Sequence, residues 1–313
     1  MSTATPAAAI GRSILRNRDL GREGTLAVLE LAAAVKREPA AFADALRGRS
    51  LVMLFEKPSL RTRVSFELGF ARLGGSAIHL DHRGEPIGAR EPVEDYGRNL
   101  ERWADLLAAR VHRHETLEAL AACCRAPVIN ALSDRFHPCQ ALADLATLAE
   151  RGISPAELRL AFVGAGNNVC HSLMETVALL GGSFLAVTPR CCRPDPQVEA
   201  ECRDLAAESG GEVRWSDELA AIRGADAVYT DTWVSMGEHD DPAKRAALGP
   251  YRVDGEAMSI AGAHAIFMHC LPAHRGEEVS APVIDGPASA VFDQAENRLH
   301  AQNALMLRLL GGA

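Results

Sequence analysis

Short, fully apolar runs alternate along the chain with longer stretches of helical periodicity. The first such run, Ser50–Glu56 (SLVMLFE), predicts a buried strand. The stretch VSFELGFARLGG that follows predicts a helix closed by Gly74 and Gly75. PVINAL (127–132) predicts another strand, and a helix is expected from Pro138, a residue tolerated at a first helical position, to about Arg151. The pattern breaks near ERGISPAELR and then restarts: LRLAFVGAG as strand, NNVCHSLMETVALLGG as helix, SFLAVTP as strand. ADAVYTDTW and HAIFMHCLP predict two more strands whose C-terminal ends carry polar residues, where open parallel sheets bind ligands. A last helix is expected from Asp293, with Asp293 as its cap and Glu296 three residues on, a capping-box variant. Strands alternating with helices imply an α/β fold of two domains, each a mainly parallel sheet flanked by helices. The boundary is placed between residues 148 and 149. No internal repeat or low-complexity segment is visible.

Composition narrows the function classes. At 313 residues the chain accommodates two domains, and 48% hydrophobic with 24% charged residues is ordinary for a soluble globular protein. No apolar run reaches the roughly 20 residues that span a bilayer, so no membrane partner is expected. The N-terminal stretch, acid-free until Asp19, reads as a short tail rather than a transit peptide. A net charge of −8 argues against nucleic acid, because phosphate backbones require a basic face. The eight cysteines include two adjacent pairs, 123/124 and 191/192, but no CxxC spacing, which suggests reduced thiols and a cytoplasmic location.

Several strand ends carry candidate chemistry. In FEKPSLRTR a strand runs into a turn and then a helix opening with Arg61-Thr62-Arg63. A helix N-terminus with Ser59, Thr62 and the Arg61 fork suits phosphate, although a capped helix with exposed arginines reads equally well. In FHPCQ, His137 and Gln140 are donors able to face a carbonyl oxygen. VGAGNN lacks the third glycine of a dinucleotide fingerprint, and its strand partner ends in Thr188-Pro189 without the ribose-binding acid. Asn167 and Asn168 suit a carboxylate better. Asp231, ahead of Ser235-Met236-Gly237, could hold an ammonium or belong to an acidic surface loop. MHCLPAHRGEEV leaves Cys270 open as nucleophile, metal ligand or substrate contact.

Taken together, PSLRTR at 58–63, Arg110 in AARV, HPCQ at 137–140, NN at 167–168, DTWVSMG at 231–237, HCLP at 269–272 and AENRLH at 295–300 resemble the aspartate/ornithine carbamoyltransferase family, in family order from about Leu51 to the C-terminus. The resemblance implies a carbamoyl-phosphate-binding domain, residues 1–148, with the C-terminal helix 294–313 packing back on it, and an ornithine-binding domain, residues 149–293. Ser59, Leu60, Arg61, Thr62 and Arg110 would hold the phosphate. His137, Gln140, Cys270, Leu271 and Arg298 would address the carbamoyl group. Asn168 would take the α-carboxylate of L-ornithine, Asp231 and Ser235 its α-ammonium, with Met236 packed against it. The residues implied in catalysis are Cys270, Arg110, His137, Gln140 and Arg298. No metal or organic cofactor is implied. The expected partners are carbamoyl phosphate and ornithine, in a homotrimer or a multiple of trimers with shared active sites.

Three positions depart from the family pattern: Pro86, the segment EDYGRNLERW (94–103) and Ala165. The first two bear on the contact a neighbouring subunit would make. Within the family, Ser235-Met236-Gly237 favours ornithine over acetylated ornithine or putrescine, and the HCLP cysteine is missing from members acting on aspartate. Two other readings compete: a catalytically silent ligand-binding paralogue, and a metal site at His269, Cys270 and His274, which lacks the spaced ligand set zinc prefers. Arginines near Cys270 in sequence would favour its thiolate.

Overall fold

The computed structural model describes residues 13–234 and 240–311. The chain forms two compact units. The first runs to Ala143 and includes the residues from Asn297 onward; the second is Asp144–Glu296.

In the first unit β1 (Ser50–Phe55), β2 (Ser76–Asp81), β3 (Leu106–Arg110) and β4 (Val128–Leu132) form a parallel sheet in the order β2-β1-β3-β4. Its helices are α1 (Gly21–Arg37), α2 (Leu60–Arg72), α3 (Val93–Leu100), α4 (His114–Cys123) and the first part of α5 (Pro138–Glu150). Strands β1, β3 and β4 are buried on both faces nearly throughout because helices cover both. Leu51, Met53 and Phe55 of β1 point into a core with Phe66, Phe70, Leu305 and Met306. Val52 and Leu54, one residue out of phase, point into a second core with Leu100, Leu117 and Leu120. The edge strand β2 is half-exposed along its length.

In the second unit β5 (Arg159–Val163), β6 (Ser183–Val187), β7 (Glu212–Ser216), β8 (Ala227–Thr230) and β9 (Ile266–His269) form a parallel sheet in the order β7-β6-β5-β8-β9. Its helices are α6 (Asn168–Leu180), α7 (Pro196–Ser209), α8 (Pro242–Leu248), α9 (Gly255–Ala261) and α10 (Ala281–Ile284). Every residue of α6 from Val169 to Leu180 is buried, including the polar His171, Ser172, Glu175 and Thr176.

The last helix, α11 (Val291–Leu310), starts two residues before the expected cap. Asp293 therefore lies inside the first turn, where a carboxylate complements the helix dipole, and accepts from Arg151 Nη2 at 2.5 Å. Val291 is itself buried in the core of the second unit, which explains the earlier start. Further along α11, Ala301, Ala304, Leu305, Met306 and Leu307 join the first unit's core, so the C-terminal helix does pack back on the N-terminal elements.

Candidate active site

Strand order determines where each unit can bind a ligand. In the first sheet β1 leads to β2 on one side and has β3 on the other. In the second, β5 leads to β6 on one side and has β8 on the other. Crevices open at such switch points, outside the carboxyl ends of the strands. The register Phe55↔Arg110 and the register Val163↔Thr230↔His269 bring the polar strand ends level.

At the first switch point Glu56 follows the end of β1 and the chain turns into α2. Ser59 is extended and caps α2, its Oγ accepting from Thr62 N–H at 3.2 Å and donating to Thr62 Oγ1 at 3.0 Å. Leu60 is exposed and Thr62 buried. Arg298 of α11, only 3% exposed, donates to Thr62 Oγ1 at 2.7 Å and to Gln140 Oε1, and its Nη1 is 3.4 Å from His137 Nε2. Burial, then the charges of Arg298, Arg110 and Arg61, hold the His137 imidazole well below its ordinary pKa. His137 is therefore a neutral ring among three guanidinium groups. With the N-terminus of α2, those groups suit a phosphate dianion and a developing oxyanion.

One residue there had no sequence signal. Glu56 is buried, and its carboxylate accepts from Ile87 N–H at 2.9 Å and from His112 N–H at 2.6 Å. It ties the segment containing Pro86 to the end of β1. That segment is also held by His82, whose Nε2 lies 2.7 Å from Tyr96 Oη in the unusual 94–103 stretch.

At the second switch point the turn after β5 leads to Asn167, the cap of α6. Its Oδ1 accepts from Val169 and Cys170 N–H at 3.0 and 3.1 Å, and its Nδ2 donates to Asp231 Oδ2 at 2.6 Å. Of the two consecutive amides, Asn167 is the one that reaches Asp231, while Asn168 opens the helix. The turn is pressed close to its neighbour: a Cβ at Gly166 would lie 2.4 Å from Pro194 N. Asp231 Oδ1 accepts from Thr232 N–H at 2.8 Å and from the Cys270 thiol at 3.0 Å. Cys270 thus places its sulfur against a carboxylate, as a donor to it. Ser235 and Met236 lie outside the described residues.

The turn after β9 is held from behind. Leu271 has φ +58, a left-handed backbone that is costly for a branched residue. Its N–H donates to His269 Nδ1 at 2.9 Å, so the ring carries its proton on Nε2, facing Glu278 Oε1 at 3.3 Å. Glu278 and His269 are both fully buried, and Glu278 also accepts from His274 N–H. Asp231, His269 and Cys270 do place donor atoms within 4.8 Å of one another. Both ring nitrogens of His269 are spent on protein partners, however, and Cys270 and Asp231 bond to each other, so the metal reading gains nothing from the geometry.

A family model described as "Aspartate/ornithine carbamoyltransferase, carbamoyl-P binding domain" matches residues 12–150, and "Aspartate/ornithine carbamoyltransferase, Asp/Orn binding domain" matches residues 156–309. The chain is 48% identical over 299 residues to an ornithine carbamoyltransferase of Shewanella oneidensis, covering 95% of this chain and 99% of that one. Its fold superposes on the ornithine carbamoyltransferase of Pyrococcus furiosus with a TM-score of 0.93 at 42% identity, covering 97% and 98% of the two chains. An N-acetyl-L-ornithine transcarbamylase, 28% identical, also superposes with a TM-score of 0.86 over 95% and 99%, so backbone likeness alone does not select the amine. Family models that together span nearly the whole chain, and identity near one half along the same length, establish that the chain belongs to the aspartate/ornithine carbamoyltransferase family.

Proposed function

We propose that the protein transfers the carbamoyl group of carbamoyl phosphate to the side-chain amine of L-ornithine, giving L-citrulline and phosphate. The observation that carries this reading is the division of charge between the two switch points. Three guanidinium groups surround the neutral His137 at one, and the carboxylate Asp231 sits between an amide and a thiol at the other.

In this reading Ser59, Leu60, Arg61, Thr62 and Arg110 bind the phosphate, and His137, Gln140 and Arg298 address the carbamoyl oxygen. Asp231 takes the α-ammonium and an amide of the 167–168 pair takes the α-carboxylate, with Ser235 and Met236 assigned to the same amino acid. The nucleophile is an alkyl amine with an ordinary pKa of about 10.4, so it must arrive neutral, and cationic surroundings favour that form. Its lone pair attacks the carbamoyl carbon and the carbonyl electrons move to oxygen, where Arg298 and His137 stabilise them together with Leu271 of the HCLP turn. The carbonyl re-forms as the C–O bond to phosphate breaks, and the amine proton leaves with phosphate. Cys270 bears on the attacking amine without forming a bond to carbon.

The same reading makes the protein a cytoplasmic homotrimer of arginine metabolism. An exposed apolar stripe on α2, Leu60, Val64 and Leu68, together with Ile78 on the edge strand β2, supports an association surface. Cysteines held as thiols rather than disulfides support a reducing compartment. Among the described residues no helix is long and apolar enough to cross a membrane.

The test is to supply carbamoyl phosphate with ornithine, acetylornithine, putrescine or aspartate in turn and follow ureido product and phosphate. Product with ornithine is expected. Product with only another amine redirects the assignment, binding without turnover favours the silent paralogue, and a trapped carbamoyl-cysteine overturns the role given to Cys270.

A further inference from the structure

Cysteines stand adjacent in sequence at two places, and the two pairs differ chemically. Cys123 and Cys124 lie at the end of α4 with their sulfurs 3.7 Å apart. Helix α3 lies across them: a Cβ at Gly97 would meet the two sulfurs at 2.6 and 2.7 Å, so backbone fills the space that an atom bound to both would need. Burial, then the neighbouring Cys123 thiol, pushes the Cys124 thiol up to about 12, which keeps it protonated and unreactive.

Cys191 and Cys192 close the 3-10 turn Arg190–Cys192 after β6, again with sulfurs 3.7 Å apart. Cys191 is exposed and Cys192 is 9% exposed. Two thiolates at about 2.3 Å from a shared centre stand about 3.8 Å apart at a tetrahedral angle and closer at the narrower, pyramidal angle of trivalent arsenic, so chelation draws these two sulfurs slightly together. Cys192 also supports the second switch point. It packs with Ala165, Trp233 and Leu248, and its carbonyl accepts from Gly166 N–H at 2.8 Å. Gly166 precedes Asn167, which holds Asp231, and Trp233 follows Asp231 by two residues. Drawing the Cys192 sulfur out of that cluster disturbs both supports of Asp231.

We propose that Cys191 and Cys192 form a chelating site for trivalent arsenicals, and that occupying it weakens binding of the amino-acid substrate. With an aryl arsenoxide the two S–H bonds and the As–O bonds break and two As–S bonds form. Both protons leave on the oxide oxygen as water, and arsenic remains trivalent. The substrate effect rests on the carbamoyl-transfer reading; formation of the adduct does not.

The experiment treats the whole protein with one equivalent of phenylarsine oxide and reads intact mass, peptide mapping and steady-state kinetics. One adduct is expected, mapped to Cys191–Cys192, stable to a monothiol and removed by a dithiol. Cys191→Ser should leave untreated turnover unchanged and abolish the adduct. In the treated wild type the ornithine KM should rise roughly tenfold or more, as for losing the aim of one hydrogen bond to a charged group, with the carbamoyl phosphate KM unchanged. An adduct at Cys123–Cys124 or Cys270 instead, an unchanged ornithine KM, or equal inhibition of Cys191→Ser overturns the proposal. If the untreated protein does not turn over ornithine, the functional reading fails separately. The disturbance is then read from Trp233 fluorescence, which must change in the wild type and not in Cys191→Ser for the proposal to stand.

Discussion

Replacing Glu278 tests whether the turn that carries Cys270 is held from behind by a buried pair. The carboxylate is fully buried and accepts from His274 N–H and from His269 Nε2–H, while His269 Nδ1 accepts from Leu271 N–H. In Glu278→Ala the buried His269 Nε2–H and the part-buried N–H of the exposed His274 lose their acceptor. The stranded buried donor costs about 1–3 kcal/mol, still a sizeable part of the roughly 5–15 kcal/mol that keeps a domain folded, while water can reach the other. The midpoint of thermal unfolding should fall by roughly 2–12 °C. Glu278→Gln keeps one acceptor and loses only the charge, so about 1 kcal/mol is expected. Turnover should fall in Glu278→Ala, where His269 is no longer held to fix Leu271 at its left-handed φ and a displacement of about 1 Å at a reacting group costs about 100-fold, and should stay closer to the parent's in Glu278→Gln. Burial alone would raise the Glu278 carboxyl, but hydrogen bonds from His269 and His274 N–H outweigh it and hold its pKa below the ordinary value. The stabilisation is therefore present above about pH 4.3, the ordinary glutamate value, and is lost as pH falls through the lower folded value. Thermal unfolding between about pH 2 and pH 7, reaching well below the ordinary glutamate value near 4.3, and ureido-product assays near neutrality, on both variants, check this. A Glu278→Ala protein with the parent's melting midpoint and turnover would refute the reasoning.

Three further outcomes follow from the site. Arg61→Ala should lower turnover roughly 100- to 1,000-fold, the cost of one missing donor to developing charge; activity near the parent's would show that the phosphate is bound elsewhere. Asn167→Ala removes a cap worth about 0.5–2 kcal/mol and the hold on Asp231, so it should destabilise the protein and raise the ornithine KM more than Asn168→Ala does; the reverse order would assign the α-carboxylate to Asn168. His137 stays neutral in the folded protein while the unfolded chain takes up its proton below about pH 6.5, so stability should fall with acid below that point by at most about 1.4 kcal/mol per pH unit. Urea unfolding of the parent against His137→Gln between pH 5 and pH 7, spanning the ordinary imidazole value near 6.5, should show this slope in the parent alone.

What could be read from the sequence follows from how locally each feature is encoded. β1 was legible because its five consecutive buried positions, Leu51 to Phe55, leave an unbroken apolar run, and a polar cluster following such a run marks a ligand-binding strand end. The edge strands β2 and β7, SAIHLD and EVRWS, carry no such run because each is paired on one side only and stays partly exposed. The beginning of α11 was misplaced because Asp293 has the chemistry of a cap, while burial of Val291 in a core built from distant residues decides where the helix starts. Asn167 and Asn168 are both amides at one helix start, and adjacent helical residues diverge by about 100°. Only the position of Asp231, brought alongside by the pairing of β5 with β8, distinguishes them. The partner of Cys270 is hidden in sequence for the same reason: Asp231, distant along the chain, is the residue at its sulfur. Glu56 and Glu278 left no trace at all, because a glutamate in sequence looks solvated. Each is buried here only because backbone N–H groups supply its hydrogen bonds, from Ile87 and His112 in one case and from His274 in the other, where the His269 ring adds another. The residues assigned to substrate sit in compact motifs at strand ends, where chemistry and position coincide. Those that aim them depend on partners set by the fold, and Glu278 is the one whose removal separates the two kinds of residue most sharply, since it lies behind Cys270 and is fully buried.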